Sequence, residues 1–159
     1  MKAFQDYYPE NVAHCYGCGS LNEHGHRIKT FWDSETPGES VTRFTPHACH
    51  TAIPGFVYGG LLASLIDCHG TGTAAAAMYR AEGREMDTLP AFRFVTGSLH
   101  VTYLKPTPLG GEPLQELIPG SPMGLIEAGD EGEAAPLAAL GRRFDFLETM
   151  PGRADCVST

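Results

Sequence analysis

Long hydrophobic runs are missing from this sequence. No apolar stretch approaches the ~20 residues that a bilayer-crossing helix needs, which excludes a helical membrane span. Basic runs are missing too. Eleven Lys and Arg stand against nineteen Asp and Glu, for a formal net charge of −8, and Arg142-Arg143 is the one adjacent basic pair. Nothing there matches a phosphate backbone, which argues against nucleic acid as the main partner. The opening Met1–Pro9 lacks the charged-then-apolar pattern of a secretory signal. The five cysteines are an odd number, and Cys49 and Cys68 fall in apolar or motif-rich surroundings. A reducing, cytoplasmic setting is therefore expected rather than a disulfide framework. No repeat or low-complexity tract is present. At 159 residues, 42% hydrophobic, the chain is long enough for one domain with a real core.

What is present is a helix with unusual punctuation. Tyr58, Leu61, Leu62, Leu65, Ile66 and His69 recur at the spacing of one helical face, and four successive alanines at 74–77 extend the pattern. A helix over Tyr58–Tyr79 is expected, about 30 Å long at ~1.5 Å per residue. Pro54-Gly55 marks a turn before it, and Gly59-Gly60 fall in its first turn. Glycine costs a helix about 1 kcal/mol against alanine, so a pair there implies that something approaches the backbone closely. Two readings follow. A strand packs against the glycines, or the unpartnered first-turn N–H groups receive a carbonyl that is becoming an oxyanion.

Asp67 shares a narrow polar stripe with Gly60, Ser64 and Thr71. The stripe is either a solvent-facing side or the place of a carboxylate that activates water or attacks a carbonyl. Gly60 N–H and Asp67 lie roughly 10 Å apart along the axis at helical rise, too far to share one carbonyl. If both are catalytic, the acid meets the glycines of a second copy, and a dimer is implied.

Elsewhere the signals are local. Residues 1–26 form an aperiodic N-terminal extension that holds Cys15-Tyr16-Gly17-Cys18 and the nearby His14, His24 and His26. A zinc-binding interaction protein built on Cys15, Cys18 and these histidines is one alternative, but the second ligand pair lacks a standard spacing. A glycine-rich turn that packs the extension is the plainer use. Arg27–Trp32 and Ser40–Pro46 flank the turn cluster at 33–39 and read as a hairpin. His47 and His50 lie in the loop ahead of the helix, where either is a site-border residue or an exposed bystander. Thr96–Leu104 alternates, with Leu99, Val101 and Tyr103 on one face, and Lys105-Pro106 stops it. Arg80–Leu89 reads as a loop or helix end. Beyond Gly110 the chain is rich in Gly, Pro and Ala, with weak strand signals at Leu114–Ile118, Gly124–Ala128 and Leu137–Phe146.

Three of these pieces resemble the hotdog-fold acyl-CoA thioesterases of the phenylacetate-pathway and 4-hydroxybenzoyl-CoA type. They are Cys-Tyr-Gly-Cys-Gly at 15–19, the Pro-Gly…Gly-Gly…Asp helix block at 54–67, and Leu-His-Val-Thr-Tyr-Leu-Lys-Pro-Thr-Pro at 99–108. The resemblance implies an α+β hotdog fold, an antiparallel β-sheet wrapped around one long central helix, assembled as dimers or tetramers. It implies metal-independent, cofactor-free hydrolysis of an acyl-CoA or related thioester at the subunit interface. On the matching positions Gly59, with Gly60, supplies the oxyanion N–H, the partner's Asp67 is base or nucleophile, and Thr96 helps to place water. Tyr58, His50, Ser64 and His69 are the expected substrate-binding residues. Lys105, Arg142 and Arg143 are the available cations for CoA phosphates. Two departures stand out. Many members have histidine where Tyr58 stands, and they end in valine-rich strands where residues 110–159 are diverged or read from a shifted frame. A non-catalytic acyl-CoA-binding module of the same fold is the other alternative.

Overall fold

The computed structural model describes residues 1–119 and 140–148. Its centre is the helix α1, Gly59–Ala81. The start follows from the turn before it. Pro54 precedes Gly55, which has φ +90°, and Phe56 N–H closes the turn on Ile53 O at 3.0 Å. The end follows from Gly83 at φ +64°. Gly83 N–H reaches Arg80 O at 3.1 Å and Arg84 N–H reaches Tyr79 O at 2.8 Å, the bond pair of a glycine-terminated helix.

Five strands accompany this helix: β1 (Thr30–Trp32), β2 (Glu39–Phe44), β3 (Phe94–Tyr103), β4 (Leu114–Pro119) and β5 (Leu140–Glu148). All pairings are antiparallel, and α1 touches strands of both sheets. The expected single wrapped sheet is, among the described residues, two: β1-β2-β4 and β3-β5. β1 begins three residues later than expected. Arg27 adopts φ +54°, and His26 and Ile28 donate to Tyr16 O and Gly17 O, so this stretch joins the cysteine loop instead of the hairpin. The expected strand at Gly124–Ala128 lies outside the described residues.

The core joins Leu61, Leu62, Leu65, Ile66 and Cys68 of α1 to Cys18, Ile28, Val57 and Leu114. The N-terminal extension is part of the packing. Gln5, buried, donates from Nε2 to Thr30 Oγ1 at 2.9 Å and accepts from Thr30 N–H at 2.8 Å. A Cβ at Gly72 would stand 2.8 Å from that Nε2, so the small residues of the second half of α1 are what let the extension dock.

The helix-facing side of the three-stranded sheet is polar. Thr30 pairs with Thr42, Thr42 pairs with Glu116, and Ser40 lies two residues along β2 on the same side; all four are buried. Ser40 Oγ lies 2.8 Å from His69 Nε2 and 2.6 Å from Thr73 Oγ1, and His69 Nδ1 lies 3.2 Å from Glu116 Oε2. The Ser40 hydroxyl, bonded to His69 and Thr73, ties α1 to the sheet.

Candidate active site

The helix start is clamped from both flanks. Val57 N–H donates to Thr107 O at 2.8 Å, Leu109 N–H to Gly55 O at 2.9 Å, and Tyr58 N–H to His50 O at 2.8 Å. The Pro-Thr-Pro exit of β3 and the histidine loop thus fix where α1 begins. Both glycines face tyrosine rings. A Cβ at Gly60 would stand 2.1 Å from Tyr58 Oη, and one at Gly59 would stand 3.3 Å from Tyr103 Cζ. Tyr103 Oη also donates to Gly59 O at 2.8 Å, and burial together with the Tyr58 phenol pushes the Tyr103 pKa up. The strand expected against the glycines is β3, whose Tyr103 packs on Gly59, whereas Gly60 is approached by Tyr58 of the preceding loop. As the first residue of α1, Gly59 has no helical carbonyl for its N–H.

Two turns further along α1, Asp67 is half-buried and borders a cleft of about 450 Å³. Thr96 Oγ1 donates to Asp67 Oδ1 across it. Thr96 is delivered by a local irregularity: the β3–β5 register slips between Thr96 and Ser98, at Gly97, which re-aims the strand. Tyr8, Arg93 and Cys68 line the same cleft, and burial raises the pKa of the Tyr8 phenol. A half-buried carboxylate that holds a hydroxyl at a cleft wall can position water and accept a proton from it.

The sequence-derived site residues thus fall into separate groups. Asp67 and Thr96 are together at the cleft. Gly59, Gly60, Tyr58 and His50 are together at the helix start, eight residues or about 12 Å away at helical rise. The His50 ring lies among His26, Phe44 and His47, and burial, with the two neighbouring histidines, lowers its pKa. Ser64 is half-buried on α1 and does not line the cleft. His69 is not placed at either group. It is fully buried against Ser40 and Glu116, so it faces the sheet and not a ligand. Lys105 is exposed two residues beyond Tyr103, and the side chains of Arg142 and Arg143 lie outside the described residues.

Three features were not read from sequence. Tyr103 against Gly59 was hidden because its strand was seen only as an alternating face. Glu116 was hidden in a segment of poor alternation. Cys68 is the third: its sulfur and those of Cys15 and Cys18 all lie within 4.8 Å of one another, on the wall of the Asp67 cleft. The histidines weighed with Cys15 and Cys18 are not in that group; His26 instead faces Tyr16, Phe44 and His50.

No family model matches the chain, and no curated protein does. Among solved structures, the chain is similar to a thioesterase superfamily protein from Shewanella loihica PV-4, whose crystal structure was determined at 1.65 Å. The two share 42% sequence identity over 69% of this chain and 74% of that one, with a TM-score of 0.48. Among the described residues no helix is long and apolar enough to cross a membrane. Sequence identity of that size over that length means that this protein belongs to the thioesterase superfamily.

Proposed function

We propose that the chain hydrolyses an acyl-CoA or related thioester to a free acid and a thiol, as a hotdog dimer that forms its site between subunits. The observation that carries this reading is the Thr96 hydroxyl on the Asp67 carboxylate at the cleft wall. The carboxylate takes a proton from a water that Thr96 helps to hold, and the oxygen of that water attacks the thioester carbonyl. The carbonyl oxygen, gaining charge, rests on the Gly59 N–H of the other subunit, where the helix dipole stabilises it. Collapse breaks the C–S bond, and the proton held on Asp67 passes to the departing thiolate.

Two observations support the dimer. Gly59 and Asp67 stand on one helix at a separation that no single carbonyl spans. In addition, β3 is ten residues long and pairs with β5 along one edge, with no other strand beside it among the described residues. It carries the half-exposed Val95 and Tyr103, and Leu104 follows. A long edge of this kind is a template for pairing with a second copy. Lys105, exposed two residues before the Thr107 that accepts from Val57 N–H, is a candidate cation for a CoA phosphate.

The deciding assay is thiol release from short aliphatic and aromatic acyl-CoAs, with wild type beside Asp67→Asn. The expected result is turnover by wild type and its collapse in the variant. If wild type turns over none of the panel, the hydrolase reading fails. Turnover that Asp67→Asn leaves unchanged removes Asp67 from the mechanism.

A further inference from the structure

The hydrolysis reading leaves unused the three sulfurs on the cleft wall. Cys15 and Cys18 come from the loop of the N-terminal extension, Cys68 from α1, and the chain folds so that they converge. Backbone bonds hold the loop on both sides: Gly19 N–H to Cys15 O at 2.8 Å, His26 N–H to Tyr16 O at 2.9 Å, and Ile28 N–H to Gly17 O at 3.0 Å. Gly17 is what admits Cys68, because a Cβ there would stand 2.3 Å from Cys68 Sγ.

The group has the chemistry of a metal site. The C-x-x-C spacing presents two sulfurs from one tight turn. Cys15 Sγ and Cys68 Sγ are in direct contact at 3.9 Å, so the loop and the helix bring their sulfurs together. A tetrahedral zinc with Zn–S of ~2.3 Å needs sulfurs about 3.8 Å apart. Cys15 and Cys68 already stand at 3.9 Å, and the third lies within 4.8 Å of both. Cys18 and Cys68 are buried while Cys15 is exposed, so an ion has an entry path from solvent. A disulfide would use two of these sulfurs and leave the third without a purpose; three sulfurs about one point suit a soft cation.

We propose that Cys15, Cys18 and Cys68 form a three-thiolate zinc site that fastens the N-terminal extension to α1. All three residues line the cleft, so its water would supply the remaining ligand. This site is independent of the hydrolysis reading, since no proton or oxygen of that reaction passes through it.

The test uses the full chain, purified under reductant, loaded with zinc, exchanged into chelator-free buffer and analysed for metal. The expected result is about one zinc per chain, with affinity at least roughly tenfold weaker in Cys18→Ser and in Cys68→Ser and unchanged in Cys49→Ser. A measurement on the unaltered chain guards against variants that fail to fold. Bound zinc should shield Cys15, Cys18 and Cys68 from alkylation, a strong chelator should expose Cys15 first, and Cys49 should react throughout. Loaded wild type with less than about one zinc per five chains overturns the proposal. So does zinc binding that survives loss of Cys68, or a Cys15–Cys68 disulfide that forms in zinc-loaded protein. Asp67→Asn should keep its zinc, so a failed hydrolase assay and a failed metal assay stay distinguishable.

Discussion

Two carboxylates, Asp67 of α1 and Glu116, which meets α1 from β4, sit in opposite environments. Asp67 is half-buried at a cleft and holds a single hydroxyl from β3. Glu116 is 1% exposed on β4 and faces His69, which is held in turn by Ser40. Desolvation decides the difference. A buried acid beside a buried imidazole, with hydroxyls closing the chain, is shut off from solvent and serves to fix the helix on the sheet. An acid that still meets the cleft can exchange a proton with water. The buried cluster of Ser40, His69 and Glu116, for all its resemblance to a catalytic triad, thus fixes the helix on the sheet, and the modest Thr96–Asp67 pair is the one we propose for the chemistry.

That contrast breaks most sharply at Asp67. Asp67→Asn keeps shape and one acceptor oxygen but cannot take a proton, so turnover should fall by roughly 10²–10⁴-fold. Its thermal midpoint should stay close to that of wild type. A comparable loss of stability in this variant would erase the distinction between the two acids. Glu116→Ala should do the reverse. Removing one member of a buried pair costs about 3–5 kcal/mol, because the other is left desolvated and unmatched. Denaturant unfolding should therefore show a large drop for Glu116→Ala, and a double change of Glu116 and His69 to Leu should recover much of it.

How much of this was readable beforehand differs between the two sides of the helix. The Pro54-Gly55 turn, the helix, the glycine pair and Asp67 were legible because they rest on local chemistry: turn residues, 3.6-residue spacing, and an acid on a stripe of small residues. The hairpin was legible through its turn cluster. The sheet behind the helix was not, because its buried face is Thr30, Ser40, Thr42 and Glu116, and a polar interior gives no apolar alternation. His69 illustrates the ambiguity. Its spacing placed it on the core-facing stripe, yet a histidine invites a ligand role, and only Ser40 and Glu116, far off in sequence, settle its place in the core. Cys68 was missed for the same reason, since the spacing of Cys15 and Cys18 carries no information about a partner on a distant helix.

Ser40→Ala tests how much of the buried network depends on its hydroxyl hub. It removes the contacts to His69 Nε2 and Thr73 Oγ1 together, and unsatisfied buried partners cost about 1–3 kcal/mol. Unfolding should report that loss while turnover of the folded enzyme holds near wild type. A fall in turnover without a loss of stability would move the chemistry to the wrong side of the helix.

The smallest expected effect is the most discriminating for the cleft. Thr96→Val keeps the β-branched shape that suits β3 and removes only the hydroxyl that donates to Asp67. Asp67 remains half-buried beside the cleft, where water can replace the lost donor, so stability should change by no more than about 1 kcal/mol. If the hydroxyl helps to place the attacking water, kcat should fall by roughly tenfold, about 1.4 kcal/mol of transition-state stabilisation, while KM holds. If it serves only to pack β3 against α1, neither constant should move. A rise in KM alone would assign Thr96 to substrate binding, because an interaction equally strong in ground and transition states changes KM and leaves kcat in place.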